Sequence, residues 1–443
     1  MIFNLKIFEQ IPDTEIKSKN DILCINILIV FALLLPLFLL TGPFLPDLTI
    51  FLCAFFFIYL TIKYRLFHYY NNLLVKFLIF FWVYISINSL LAENIFFSLK
   101  SSFFYIRFLL FSLFIFFLVT NYKSFIKYFF YILTFTMFFV LIDSYYQFFF
   151  DISLTGFDKP NLRLTGPFDD RQIVGSFIMR LLPLYLFIFY FLNHKFNYKI
   201  ILFVAFLSSL VLISGERTAF FGLTLSIFLI CILLEKKIIK FLMYIIVYFL
   251  LSIIIVFSNL DLKERIVDQT LQGIGIKQYT FQTGENEYFE TKPDKGFYVF
   301  SKAHEVHYST ALKMFKDSPL IGKGPNMFRK LCSDEKFFIE QSSCTTHPHN
   351  FLIQILAETG ILGSLFYFLV FFYLAKKIIF QLYYSKIKNL EISFKEIKLY
   401  ILNIGFIINS FIFILPNGNF FNNYLNAIIF IPFGFYLYQL KND

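Results

Sequence analysis

Thr346-His347-Pro348-His349-Asn350 runs directly into Phe351-Leu352-Ile353-Gln354-Ile355-Leu356-Ala357-Glu358-Thr359-Gly360. The stretch closes the only long hydrophilic segment of an otherwise hydrophobic chain and leads straight back into an apolar run. Thr346 or His347 can cap a helix opening at Pro348, because proline's missing N–H costs nothing in a first turn. On that helix Asn350, Gln354 and Glu358 fall at i, i+4 and i+8 and make one polar stripe on an apolar cylinder. Gly360 and Gly363 permit a bend or close packing where the chain enters the membrane. A polar-striped surface helix followed by a crossing helix explains why the apolar run at 350–376 is overlong. Two imidazoles at a membrane surface suggest chemistry on a substrate that is itself part lipid.

Of 443 residues, 58% are hydrophobic and only 15% charged. Soluble domains carry about a quarter charged residues, so the chain is an integral membrane protein. Its many Phe and Tyr residues accompany abundant Ile, Lys and Asn, which reads as an AT-rich coding bias rather than an aromatic binding role. A bilayer core takes about 17–25 apolar residues per helical crossing. Twelve runs qualify, near 22–40, 46–62, 73–91, 100–120, 126–150, 173–192, 198–214, 217–234, 238–257, 350–376, 397–415 and 420–439. The expected fold is all-α and polytopic, with about twelve transmembrane helices and one large outer-loop subdomain. The first run follows a charged leader, residues 1–21, without a small-residue cleavage site, and reads as a crossing helix rather than a signal peptide.

Basic residues set the orientation. One set of connections holds Lys63/Arg65, Lys123/Lys127, Lys195/Lys199, Lys236/Lys237/Lys240 and the lysine-rich 376–398 segment; Lys6, Lys17, Lys19 and Lys441 fall on the same side. The opposite short connections, 41–45, 92–99 and 416–419, contain no Lys or Arg. The positive-inside rule then predicts that both termini are cytoplasmic. The net charge of +10 is mostly anchoring to the membrane lipids of the inner face and does not argue for nucleic acid. The chain divides into the leader 1–21, nine membrane helices over 22–257 with an outer loop at 151–172, a large outer loop at 258–348, and a surface helix with three membrane helices over 349–443.

Polar chemistry collects near the outer side. Arg107, Asp143 and Arg180 each lie about two turns below the outer surface, a depth at which charges face the bundle interior or a wet cavity. Their shared depth predicts an Arg107–Asp143 ion pair, with Arg180 left to meet an anionic group; a network that only fixes helix packing is the alternative. The 151–172 loop carries Arg163-Leu164-Thr165-Gly166-Pro167-Phe168-Asp169-Asp170-Arg171, with a Gly-Pro turn flanked by Arg163 and Arg171. Ser214-Gly215-Glu216-Arg217-Thr218-Ala219 joins two helices with almost no loop, placing Arg217 at a helix start where backbone N–H groups already favour an anion. An arginine forks two hydrogen bonds to a phosphate; an interfacial anchor to lipid headgroups is the alternative for Arg217.

In the large loop, His304 and His307 sit on an amphipathic helix predicted over 302–316, followed by Pro319-Leu320-Ile321-Gly322-Lys323-Gly324-Pro325, which must turn. Cys332 and Cys344 share this outer compartment, and a disulfide between them would constrain the chain ahead of His347; two free thiols are the alternative. Cys24, Cys53 and Cys231 lie in apolar runs and read as packing residues. His304, His307, His347 and His349 make only a weak zinc signature, because His-x-His lacks a fixed carboxylate partner. No Walker, GxGxxG or Asp-x-Asp pattern occurs, which argues against soluble nucleotide chemistry.

Together these residues resemble the O-antigen ligase family of bacterial inner membranes, which includes O-antigen polymerases and protein O-oligosaccharyltransferases. The family signature is His followed by Asn, Ser or Gln, nine residues, Gly, two residues, and Gly, Thr or Tyr. His349-Asn350, nine residues through Thr359, Gly360, two more and Gly363 satisfy it. The Pro319–Gly324 run, Arg163-Leu164-Thr165-Gly166-Pro167-Phe168 and Arg217-Thr218-Ala219 also look like the family. The resemblance implies a GT-C-like, metal-independent glycosyltransferase with no cofactor, acting at the periplasmic face of the inner membrane. It implies an undecaprenyl-diphosphate-linked glycan donor and, for a ligase, transfer with inversion to a hydroxyl of lipid A-core.

The family's essential loop histidine falls on His349 and its turn arginine on Arg217. Its loop-helix arginine falls on His304, four residues before Tyr308, and Arg163, Arg171 or a protonated His304 is expected to substitute. His347, Asn350, Arg107 and Arg180 complete the expected substrate-binding set. The same donor with a different acceptor would make the chain a polymerase or a protein O-oligosaccharyltransferase. A transporter of lipid-linked sugar and a non-catalytic glycan-binding protein are the readings from other classes.

Overall fold

The computed structural model describes the chain except residues 1–15, 17, 123, 236–237, 277–278, 284–286, 292–296, 389, 414 and 442–443. Most of the leader, and Lys6, Lys17, Lys123, Lys236 and Lys237 of the basic set, lie outside the described residues.

All twelve apolar runs are helical. Among the described residues, eight helices are long and apolar enough to cross a bilayer, or nine if Leu242–Ser258 and Leu260–Gly273, bent by 112°, count as one span. That is fewer than twelve because Tyr198–Ile213 is short, and because the last two runs carry buried Asn403, Asn409, Ser410, Asn426 and Gln439, which lower their hydropathy. Val174–Asn193 is the most enclosed span, 89% buried, so it forms the bundle's axis. Phe108, Phe111, Phe114 and Phe117 are fully buried on Ile106–Asn121, which packs against Asn423–Lys441 and Phe44–Tyr64, so this phenylalanine serves as packing volume. Phe55, Ile62, Phe80, Ile246 and Phe372 stay exposed, the apolar exterior a bilayer covers.

The large loop between Ser258 and the Phe351–Leu382 helix has its own small core. Past the bend come a two-stranded antiparallel hairpin, Tyr279–Thr283 with Glu287–Thr291, and a helix at Lys302–Asp317. Ala311, Met314, Met327, Phe328, Leu331 and Phe337 pack together against Ala357 of the following membrane helix. Cys332 and Cys344 are joined by a disulfide that closes this core. The hairpin is absent from the sequence reading, which expected helix and turn only.

The helix after the loop begins later than proline suggests. It opens at Phe351, and Asn350 is its N-cap, its side chain accepting from Ile353 N at 3.1 Å. Neither Thr346 nor His347 caps it. The reason is His349, whose φ of 57° is left-handed and incompatible with a first helical turn. Further along, Gly360 takes φ 65°, ψ −166° and breaks the helix. The Pro319–Gly324 turn fills that break. Lys323 N and Gly324 N donate to the carbonyls of Ala357 and Glu358 at 3.0 and 2.8 Å, and Ile361 N donates to Pro319 O at 2.9 Å. The Glu358 carboxylate accepts from Asn326 N and Phe328 N at 2.9 and 3.0 Å, while Gln354 bridges Glu358 to Asn419. The polar stripe is therefore a docking rail for the loop, and it sets where His349 stands.

Candidate active site

Four of the six histidines converge. The His349 ring centroid lies 4.2 Å from His347, 5.3 Å from His307 and 5.6 Å from His304. The Lys302–Asp317 helix supplies two of them, and the strained pre-cap segment supplies the others. His304 Nδ1 is 2.7 Å from Ser301 Oγ, and His347 Nε2 is 3.2 Å from the Asn417 carbonyl. Burial, followed by the neighbouring His304 and His307, holds His349 down to about 4. Burial and then His349 hold His347 down to about 3. His304 is lowered by burial, then by His307 and Arg217. At neutral pH these imidazoles are uncharged, and His349 is free to accept a proton.

Arg180 is tied to this cluster through one asparagine. Its guanidinium donates to Asn417 Oδ1 at 2.5 Å and to Asn409 O at 2.8 Å. Asn417 N in turn donates to His349 O at 2.7 Å. Asn409 lies in a π turn, Ile407–Phe411, whose irregular hydrogen bonding leaves its carbonyl for Arg180. Asn350 spends its amide on the cap and on Phe413 O, at 2.7 Å, so it holds backbone rather than facing open space.

A second cluster gathers guanidinium groups around the Gly215 turn. Arg217 Nη1 donates to Thr270 Oγ1 at 2.7 Å, and Arg163 Nη2 to Gln172 O at 2.8 Å. Arg163 also stands 3.9 Å from Glu216, whose buried carboxylate accepts from Gly175 N at 2.6 Å and from Ser176. Arg265 completes the set, its Nε donating to Gly215 O at 3.1 Å. An open cavity of about 530 Å³ beside the turn is lined by Arg163, Arg265, Gln172 and Gln269, but by neither Arg217 nor His349.

Arg107 and Arg171 lie apart. Arg107 does not pair with Asp143: its Nε and Nη2 donate to Asp47 Oδ1 at 3.1 and 2.8 Å. Asp47 sits in the first turn of Phe44–Tyr64, where it is 37% exposed and its charge costs little desolvation. Asp143 accepts instead from Thr155 N at 3.2 Å, under the 151–172 loop. Arg171 donates to Phe168 O and stands over the Tyr424 ring, 5.8 Å from its centroid. Among the described residues, no three His, Cys, Asp or Glu side chains are grouped to hold a metal ion.

Sequence reading missed Arg265 and Asn417. Arg265 hid in a mixed-charge stretch, although its position four residues before Gln269 puts both on one helix face. Asn417 sits in Pro416-Asn417-Gly418-Asn419, a turn signal that carries no mark of the groups it meets.

Residues 202–368 match the O-antigen ligase family model. This stretch is similar to an O-antigen ligase domain. It carries Arg217, Arg265, His304, His307, His347, His349 and Asn350; Arg107, Arg163, Arg171 and Arg180 lie before it and Asn417 after it. No curated protein matches the chain. The match supports a function of the O-antigen ligase or polymerase type in general, which for that family means a glycosyltransferase-like enzyme with a lipid-linked glycan and an acceptor as partners, and the apolar helices fit a multi-pass membrane protein.

Proposed function

We propose that the protein is an O-antigen ligase: a metal-independent, inverting glycosyltransferase of GT-C-like architecture with twelve crossings. It would move a glycan from undecaprenyl diphosphate to a hydroxyl of lipid A-core at the periplasmic face of the inner membrane. The observation that carries this reading is a half-buried, uncharged His349, held through Asn417 and Asn350, in a histidine cluster whose His304 feels the charge of Arg217. The acceptor oxygen bonds to the anomeric carbon while the bond from that carbon to the diphosphate oxygen breaks. His349 takes the acceptor proton, and the departing electron pair stays on the lipid diphosphate. Arg217 and Arg163 meet that growing negative charge without having to reorganise. His304 and His347 shape the pocket around His349, and Arg180 positions it through Asn417. A transporter would keep its polar site on broken helices at mid-bilayer; these imidazoles belong to the outer loop.

An imidazole held near 4 is a weak base, and an arriving diphosphate raises it by favouring the cation. In the free enzyme, however, the low value governs. Transfer measured as kcat/KM should stay level from neutral pH to about 5 and fall as His349 protonates near 4. An acid limb at or above 6.5, the ordinary imidazole range, would show that His349 is not held down in the free enzyme.

The function is tested by the surface glycolipids of cells lacking the gene, complemented with wild type or R217Q. Expected is loss of long glycan from lipid A-core, with lipid-linked polymer accumulating, restored by wild type and not by R217Q. A single repeat unit left on the core would replace the ligase reading with a polymerase. An unchanged profile would overturn both in favour of protein glycosylation or transport.

A further inference from the structure

We propose that Arg265 is a direct ligand of the donor diphosphate, and that the cavity it shares with Arg163 receives the diphosphate and first sugar of the lipid-linked donor. The inference rests on the glycosyltransferase reading above and assigns it a pocket.

Three observations carry it. The 112° bend after Ser258 turns the chain back over the Gly215 turn, and Arg265 lies in the π turn Glu264–Asp268 that follows. Such turns recur at functional sites, because the extra residue re-aims a side chain. Second, Gly215, at φ 73°, is the floor on which both arginine stems lie. A Cβ added there would stand 3.1 Å from Arg265 Cγ and 3.2 Å from Arg163 Cγ. The backbone has thus been cleared for two like charges to approach. Third, neither guanidinium is used up. Arg265 commits Nε to Gly215 O and Nη1 to Gln269 Oε1, at 3.1 and 2.6 Å. Arg163 commits Nη2, while its Nε is buried with no hydrogen-bond partner among the described residues.

Acidic groups nearby do not cancel this charge. Glu264 shares the cavity lining, and Glu216, 3.9 Å from Arg163, is engaged by Gly175 and Ser176. Holding guanidinium groups together in a half-buried site costs free energy that an anion returns. A phosphate takes the fork of an arginine in two parallel hydrogen bonds, and a diphosphate offers enough oxygens for two forks. Asn161, Gln172 and Gln269 bring amides to the same lining, the groups that pair with sugar hydroxyls. The volume, about 530 Å³, accommodates a diphosphate with one sugar.

The test is binding of undecaprenyl diphosphate, undecaprenyl phosphate and undecaprenol to the full chain in nanodiscs, for wild type, R265Q and R265K, with thermal midpoints alongside. Wild type should prefer the diphosphate. R265Q should weaken diphosphate binding on the order of tenfold to a hundredfold and leave undecaprenol unchanged. R265K, which keeps a point charge without the fork, should fall between them. Diphosphate binding by R265Q within twofold of wild type overturns the assignment. If R265Q lowers the thermal midpoint, R265K decides: weakened diphosphate binding supports the assignment, and wild-type binding overturns it. A wild-type protein that binds the diphosphate no better than undecaprenol defeats the donor reading itself, an outcome separate from the failure of Arg265.

Discussion

Replacing His349 with Asn should cut glycan transfer by ~10²–10⁴-fold while leaving undecaprenyl diphosphate binding within about twofold of wild type. Asparagine is the instructive substitute. Position 349 holds a φ of 57°, and Asn tolerates that left-handed backbone as readily as His does. The carbonyl of residue 349 would still accept from Asn417 N, and Asn350 would still cap the helix. What disappears is the only group in the proposed mechanism able to take the acceptor's proton. Donor binding persists because the arginines around Gly215 do not touch the imidazole. The measurement is single-turnover transfer of radiolabelled glycan from lipid carrier to purified acceptor, beside a binding assay on the same preparation. Transfer by the variant above about a tenth of wild type would sink His349 as the base.

Gly360→Ala should unfold the outer loop from the membrane helix and abolish transfer without touching any proposed substrate contact. The backbone at 360 has φ 65° with ψ −166°, a conformation essentially restricted to glycine. A methyl group there would also run into the Leu320 carbonyl and Ile321 N of the docked turn. Strain of about 1–3 kcal/mol is the smaller part. The larger part is the turn itself, whose hydrogen bonds to Ala357, Glu358, Ile361 and Leu362 all depend on the break. Glu358 would then lose Asn326 and Phe328, leaving a buried carboxylate without its donors. Thermal unfolding and limited proteolysis of the 302–348 loop read this directly. A variant melting within about 2 °C of wild type, with the loop still protected, would show that the break is dispensable.

Much of this was legible in one dimension. The apolar runs read as helices because a bilayer forces every backbone group to bond within its own segment, leaving length and hydrophobicity as sufficient signals. The Asn350, Gln354 and Glu358 stripe was visible for the same reason: a helix turns through a constant angle. Its purpose was not visible, because the turn that occupies it lies over thirty residues upstream and is read there only as a collection of helix breakers. The start of that helix was misplaced for a related reason. Pro348 permits a first turn, but the left-handed His349 that forbids it follows from loop docking and not from local preference.

Depth along a helix also proved a poor guide to partnership. Arg107 and Asp143 share a depth, yet Arg107 faces Phe44–Tyr64 and meets Asp47. The sequence by itself determined the membrane class, the helical runs and the candidate residues His349 and Arg217, since these depend on local composition and spacing. Only the tertiary structure decided which polar groups meet. It brought Arg265 back over Gly215 through a sharp bend, and linked Arg180 to His349 through Asn417. Those choices depend on helix crossings and chain reversals, which set distances between residues far apart in sequence and leave no periodicity in the chain itself.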